Sequence, residues 1–158
     1  MKRQVVIGLE IHLQLKTKTK LFCGCSSDYI GATPNTNVCP ICLAVPGTLP
    51  VINDHAVDLA VKMGLGLHCD IQDNTRFHRK HYFYADLPKA YQITQYEHAI
   101  AQGGYLDVIV DGKPKRVHLD HLHLEEDAGK LVHPTADGRL SGAAYSFVDY
   151  NRGGMPLS

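Results

Sequence analysis

Four of the five cysteines lie between positions 23 and 42, as Cys23-x-Cys25 and, thirteen residues later, Cys39-Pro40-Ile41-Cys42. Zinc takes four soft ligands in a tetrahedron, and two short cysteine pairs separated by a loop supply them. The Cys39–Cys42 spacing is usual for zinc ribbons, whereas Cys23–Cys25 is tighter. Four thiolates leave no open position for a substrate, so such a site would be structural. The competing reading is four reduced thiols packed as small hydrophobes. Cys69 stands apart and reads as a core residue.

A second constellation joins two distant segments. In an extended strand, side chains two apart share a face, which puts Glu10 with His12 and, further on, His121 and His123 with Glu125. If the two strands neighbour each other, two carboxylates and up to three imidazoles converge. Carboxylates with few other ligands suit Mg²⁺, which keeps waters and also binds substrate phosphates; imidazoles alone would favour a transition metal. Amphipathic strands with polar residues facing water show the same alternation, so spacing leaves both readings open. A third segment interleaves basic residues and aromatics, Arg76-Phe77-His78-Arg79-Lys80-His81-Tyr82-Phe83-Tyr84, then Asp86-Leu87-Pro88-Lys89. It suits phosphates and stacked bases, or equally an edge strand with solvated charges on one face.

The elements that must position these groups follow from periodicity. Leu9, Ile11, Leu13 and Leu15 alternate with Glu10, His12, Gln14 and Lys16, which predicts a half-buried strand over residues 5–15. Residues 22–50 are rich in Cys, Pro, Gly, Asn and Thr and predict a loop that is ordered only if something fixes it. Asn53 is placed to cap a helix to about Leu67, with Ala56, Val57, Ala60, Val61, Gly64 and Leu65 as its apolar stripe. Gly64 and Gly66 weaken its last turns and allow close approach to a sheet. From Tyr91 the pattern is mostly β. Tyr105–Val110 and Lys115–Glu125 flank Asp111-Gly112, a hairpin signal that Lys113 and Pro114 would lengthen. Asp137-Gly138 reads as a second turn and Ala144–Asp149 as a short strand. One helix among several strands gives an α+β class with a mixed or antiparallel sheet.

Composition bounds the function classes. The chain has 158 residues, 44% of them hydrophobic and 20% charged, which is ordinary globular composition. Lys plus Arg and Asp plus Glu are each 16, so the net charge is zero and any polyanion site must be a local patch. Glu10 cuts the apolar run that follows the basic start too short for a secretory signal. No stretch of about 18 apolar residues spans a membrane. The expected compartment is the cytoplasm or an organellar matrix.

The run Val6-Ile7-Gly8-Leu9-Glu10-Ile11-His12-Leu13-Gln14-Leu15, followed by Thr17-Lys18-Thr19-Lys20-Leu21-Phe22-Cys23, resembles the opening of the B subunit of the aspartyl/glutamyl-tRNA amidotransferases. So do Pro34-Asn35-Thr36-Asn37-Val38-Cys39-Pro40-Ile41-Cys42-Leu43, Tyr82-Phe83-Tyr84, Tyr91-Gln92-Ile93, His123-Leu124-Glu125-Glu126-Asp127-Ala128-Gly129-Lys130 and Val148-Asp149-Tyr150-Asn151-Arg152. The resemblance runs in order through nearly the whole chain. It implies a fold like that of glutamine synthetase and the guanido kinases. It also implies ATP-dependent activation of glutamate or aspartate mischarged on tRNA(Gln) or tRNA(Asn), with ammonia supplied by the amidase (A) subunit and the small C subunit completing the enzyme. By the same resemblance Glu10, His12 and Glu125 hold Mg²⁺, and Cys23, Cys25, Cys39 and Cys42 hold a structural zinc. Arg79 and Lys80 contact nucleotide phosphate, and Glu125, Lys80 and Lys89 serve catalysis.

The chain departs from the family at three positions, with His81, Ala85 and Ala90 where Asn, Pro and Gly are usual. Ala90 takes a positive φ less freely than glycine, which puts the loop geometry there in question. The family's catalytic cradle and helical tRNA-binding tail continue beyond Arg152. Residues 1–158 therefore read as the N-terminal portion of the catalytic domain, expected to be inactive alone. A non-catalytic zinc-bearing module that binds RNA or protein, or a remnant with exposed sheet edges, are the other expectations.

Overall fold

The structure, a computed structural model, describes residues 3–135 and 138–158. The first two residues of the basic start and Asp137 of the expected Asp137-Gly138 turn lie outside them. Helix α1 (Asp54–Gly66) comes first. It is followed by β1 (Asp70–Ile71), β2 (His78–His81), β3 (Tyr91–Thr94), β4 (Ala101–Gln102), β5 (Tyr105–Val110) and β6 (Lys113–His118). The last elements are β7 (His121–Leu122), β8 (Glu125–Glu126), β9 (Lys130–Val132), β10 (Phe147–Asp149) and β11 (Pro156–Leu157). One helix among short strands is the α+β class read from the pattern. Among the described residues all strand pairing is antiparallel: a three-stranded sheet β1-β4-β7 and the pairs β2–β3, β5–β6, β8–β11 and β9–β10.

The helix forms as its local signals require. Asn53 Oδ1 accepts from the backbone N–H of His55 at 3.0 Å and of Ala56 at 3.4 Å, satisfying donors that the first turn leaves open. Its Nδ2 donates to Thr19 Oγ1 at 2.9 Å, tying the helix start to the segment before the cysteine loop. Ala56, Ala60 and Gly64 form the buried stripe. At Gly64 an added Cβ would lie 2.8 Å from Ile71 Cδ1 and 3.2 Å from Ala101 Cβ, so glycine there lets α1 meet the β1-β4-β7 sheet; Gly66 has no such neighbour. The core joins this contact to Leu21, Phe22, Leu122 and Leu124, and Cys69 is buried in it as expected.

Four expectations are corrected. The strand over residues 5–15 is paired only at its end. Leu13 N–H donates to Ser158 O at 2.7 Å, Ser158 N–H returns to Leu13 O at 2.9 Å, and Gln14 bridges Leu157. Residues 3–12 make no ladder among the described residues, and Leu9 is 86% and Ile11 73% exposed, against 8% for Leu15. Alternation encodes which face is apolar, but burial also needs a neighbouring strand. The expected strand Lys115–Glu125 is divided into β6, β7 and β8, because the chain turns from the outlying β5–β6 hairpin back into the core after His118. The hairpin loop itself is the tight pair Asp111 (φ 50°) and Gly112 (φ 73°), so Lys113 and Pro114 belong to β6 rather than lengthening the turn. Only Phe147–Asp149 of the expected strand 144–149 is regular. Among the described residues no helix is long and apolar enough to cross a membrane.

Candidate functional site

The short strand β8 carries two consecutive glutamates that point to opposite sides, and each organises one half of the site. Glu125 is 4% exposed. One of its oxygens accepts from Thr94 Oγ1 at 2.9 Å and lies 3.4 Å from His123 Nε2, while the other lies 3.1 Å from His12 Nε2. His12 Nε2 is also 3.0 Å from Glu10 Oε1. The ligand atoms of Glu10, His12 and Glu125 all fall within 4.8 Å of one another. A single ring N–H cannot serve two carboxylates well, and two edges near 3 Å match the cis edges of an octahedron with bonds of about 2.1 Å. The donor set therefore fits a hard divalent cation. Burial works against ionised Glu125, yet hydrogen bonds from His123 and Thr94 and the charge of His12 hold its pKa below the ordinary value. Burial pushes the neighbouring Asp127 upward, with Arg152 opposing. His121 stacks on His123, centroids 5.4 Å apart, and lies outside the cation group.

Glu126 faces the other way. It forms a buried ion pair with Lys89 Nζ and accepts the Ile93 N–H at 2.8 Å. The register of β2 with β3, His78 opposite Thr94 and Lys80 opposite Gln92, sorts the basic residues. Lys80 shares the face of Thr94, and hence the Glu125 side, and is exposed. Arg79 lies on the opposite face, its guanidinium 4.6 Å from the Tyr91 ring centroid, where Lys89 Nζ also approaches at 5.8 Å. The structure thus separates Arg79 and Lys89 from Lys80, which the sequence had grouped. A pocket of about 220 Å³ opens on the Tyr91 side, lined by Lys89, Glu126, Tyr91, Thr48, Lys20 and Cys42 among others.

The cysteine loop forms the far wall of that pocket. Its base is closed by Val51 N–H to Phe22 O at 3.1 Å and Asn53 N–H to Leu21 O at 2.8 Å. The four sulfurs of Cys23, Cys25, Cys39 and Cys42 lie within 4.8 Å of one another. Bonds of about 2.3 Å in a tetrahedron require S–S edges of about 3.8 Å, so the four thiols fit one zinc-sized ion. A hydrogen bond from Cys23, then the Cys39 N–H and the charge of Lys20, hold the Cys42 thiol well below its usual pKa. The same Cys42 contact, followed by burial, drives Cys23 upward, and burial pushes Cys25 up to about 11. Among the described residues, these two groups are where His, Cys, Asp or Glu converge as ligands.

Periodicity gave no sign of several residues that hold the site. Asn151, fully buried, accepts the Asn37 N–H at 2.7 Å and donates to Thr33 O at 2.7 Å, latching the cysteine loop to the strand end that follows β10. Gln95 Oε1 accepts from both Ile100 N–H and Leu124 N–H at 3.0 Å, fixing the entry to β8. Thr94 and Lys20 are likewise buried polar residues whose partners lie far away in sequence. The three departures are accommodated: Ala90 adopts φ 58°, Ala85 O accepts from Tyr150 Oη at 2.8 Å, and the His81 ring lies 5.7 Å from Tyr91.

The protein is thus an antiparallel α+β scaffold that gathers one carboxylate–imidazole site and one four-cysteine site. The chain belongs to the GatB/GatE catalytic domain family, whose model matches residues 5–158. It is 53% identical over 154 residues to the aspartyl/glutamyl-tRNA(Asn/Gln) amidotransferase B subunit of Carboxydothermus hydrogenoformans, covering 98% of this chain and 31% of that protein. The namesake from Salinispora tropica is 54% identical over 153 residues, covering 96% and 30%. That from Methanoregula boonei is 53% identical over 154 residues, covering 97% and 31%. The chain spans about a third of the length of the curated relatives it matches.

Proposed function

We propose that the chain forms part of the kinase site of an amidotransferase B subunit. In this reading the γ-carboxylate of glutamate, or the β-carboxylate of aspartate, on mischarged tRNA attacks the γ-phosphorus of ATP. ADP leaves, and ammonia then displaces phosphate from the acyl phosphate to give the amide. Convergence of Glu10, His12 and Glu125 on one point is the observation that carries the reading. Bound there, Mg²⁺ would neutralise phosphate charge during transfer. Thr94 and His123 orient the Glu125 carboxylate and keep it ionised. Lys80, exposed on the same strand face, is placed to meet a phosphate oxygen. Lys89 is held by Glu126 on the pocket side, where it can orient the tRNA-borne carboxylate, and Arg79 is packed on Tyr91 beside it. Cys23, Cys25, Cys39 and Cys42 would hold one zinc, whose chemistry is structural. The amidase (A) subunit would supply ammonia, and the small C subunit would complete the enzyme. Its substrates are those of translation, which assigns it to the cytoplasm or an organellar matrix.

The test is ATP-dependent amidation of mischarged tRNA in the assembled enzyme. Glu125→Ala should lower the phosphorylation step by roughly 10²-fold or more, since a divalent cation supplies several kcal/mol of charge stabilisation there. Unchanged turnover in that variant would sink the cation assignment. Metal analysis of the purified chain should return one zinc per molecule.

A further inference from the structure

Lys20 is the largest fully buried side chain of the described residues, at 0% exposure. The backbone enforces this. Lys20 N–H donates to Cys25 O at 3.0 Å and Leu21 N–H to Gly154 O at 2.9 Å, so Leu21 enters the core while Lys20 is turned toward the cysteine loop. Its stem runs along Gly154, where an added Cβ would lie 3.4 Å from Lys20 Cδ; φ of +86° and close approach both call for glycine there. The ammonium meets the Tyr150 carbonyl at 3.3 Å and the Cys42 sulfur at 3.7 Å. Among the described residues no carboxylate pairs with it. A cation removed from water needs a compensating anion, and a carbonyl dipole is not one. Cys42 of the cysteine cluster is the acidic group in contact with it. Four thiolates around one dication keep an excess of negative charge, and Cys42 concentrates the contacts that offset it: Lys20 and the Cys39 N–H at 3.2 Å.

We propose that Lys20 is the built-in counter-charge of the cysteine site, a positioning residue that stabilises the thiolate set around the metal and sets how tightly zinc is held. The proposal rests on the zinc reading above. Outer-sphere partners of metal ligands are worth 10- to 100-fold in affinity. Lys20→Met keeps the stem and removes both charge and donor; Lys20→Gln keeps a donor for the Tyr150 carbonyl and removes only the charge. Zinc affinity of the full chain, measured by competition with a chromophoric chelator, should fall about 10- to 100-fold in both variants. In the cobalt-loaded proteins the sulfur-to-metal charge-transfer band should move to longer wavelength, because losing a nearby cation raises the sulfur orbitals. A purely structural lysine would leave that band in place. The cobalt d–d bands report whether a tetrahedral four-sulfur site has formed, so Lys20→Gln carries the test if Lys20→Met fails to fold. Parent-like affinity and an unshifted band in Lys20→Gln would overturn the proposal and leave the zinc reading standing. A parent chain that binds neither zinc nor cobalt would overturn both.

Discussion

Thr94 holds one oxygen of a carboxylate that is almost wholly removed from water. Replacing it with valine keeps the shape and deletes the donor. Thr94→Val should cost about 1.5–3 kcal/mol, the range for hydrogen bonds to charged groups, read as a fall in the urea midpoint at constant slope. Ala90 poses the opposite case. Its φ of 58° strains an L-residue by roughly 1–2 kcal/mol, partly offset by the entropy glycine loses on folding, so Ala90→Gly should stabilise by about 0.5–1 kcal/mol. At this scale the sequence was legible where a rule of parity applied. Parity paired Glu10 with His12 and, separately, Glu125 with His121 and His123, whereas the meeting of Glu10, His12 and Glu125 was implied only by the family resemblance. Lys20, Gln95 and Asn151 could not be read this way, because a buried polar residue declares itself only through partners the fold supplies, such as Tyr150 for Lys20 and Thr33 for Asn151.

The elements divide along the same physical line. Helix α1 was legible from its cap and apolar spacing, since both are local. The β5–β6 hairpin was legible at Asp111-Gly112 for the same reason. What the pattern hid was the return of the chain after His118, where β7 and β8 are placed by pairing with β4 and β11 rather than by their own residues. The hairpin carries a test of its own. A bidentate pair joins Arg116 to Asp107 at 2.8 and 2.7 Å across the strands, and the hydrogen bond from Arg116 draws the Asp107 pKa below its ordinary 3.8. A depressed carboxylate contributes stability that is complete above its unfolded value and lost as pH falls through the folded one. Side-chain NMR should therefore place the Asp107 midpoint below 3.8, and Arg116→Gln should return it to that value. Both groups are fully solvated, so the shift should shrink in molar salt.

At the scale of the whole molecule, apolar surface is unevenly covered. Val5, Ile7, Leu9 and Ile11 are all more than 70% exposed on a segment whose backbone has no ladder before Leu13. Extended chain with open N–H and C=O groups and alternating aliphatic side chains is a template for pairing with another copy. The isolated chain should self-associate with rising concentration, and Ile7→Lys with Ile11→Lys should suppress this in light scattering without altering zinc content. The zero net charge fits that expectation, since no long-range repulsion keeps copies apart. It also resolves into parts, with the Glu125 carboxylate on one face of β8 and Glu126 paired with Lys89 on the other.

The two-way bond between Leu13 and Ser158 also orders events in time. A ribosome that has just made Glu10 and His12 must continue as far as Pro156–Ser158 before their strand finds its neighbour. The cysteine loop and α1 can close early, from residues near one another in sequence, whereas the Glu10–His12–Glu125 cluster waits for a contact of the greatest separation the described chain offers. A nascent chain halted before Pro156 would hold Glu125 and the cysteine loop yet lack the segment that pairs with Leu13 and Leu15, next to Glu10 and His12.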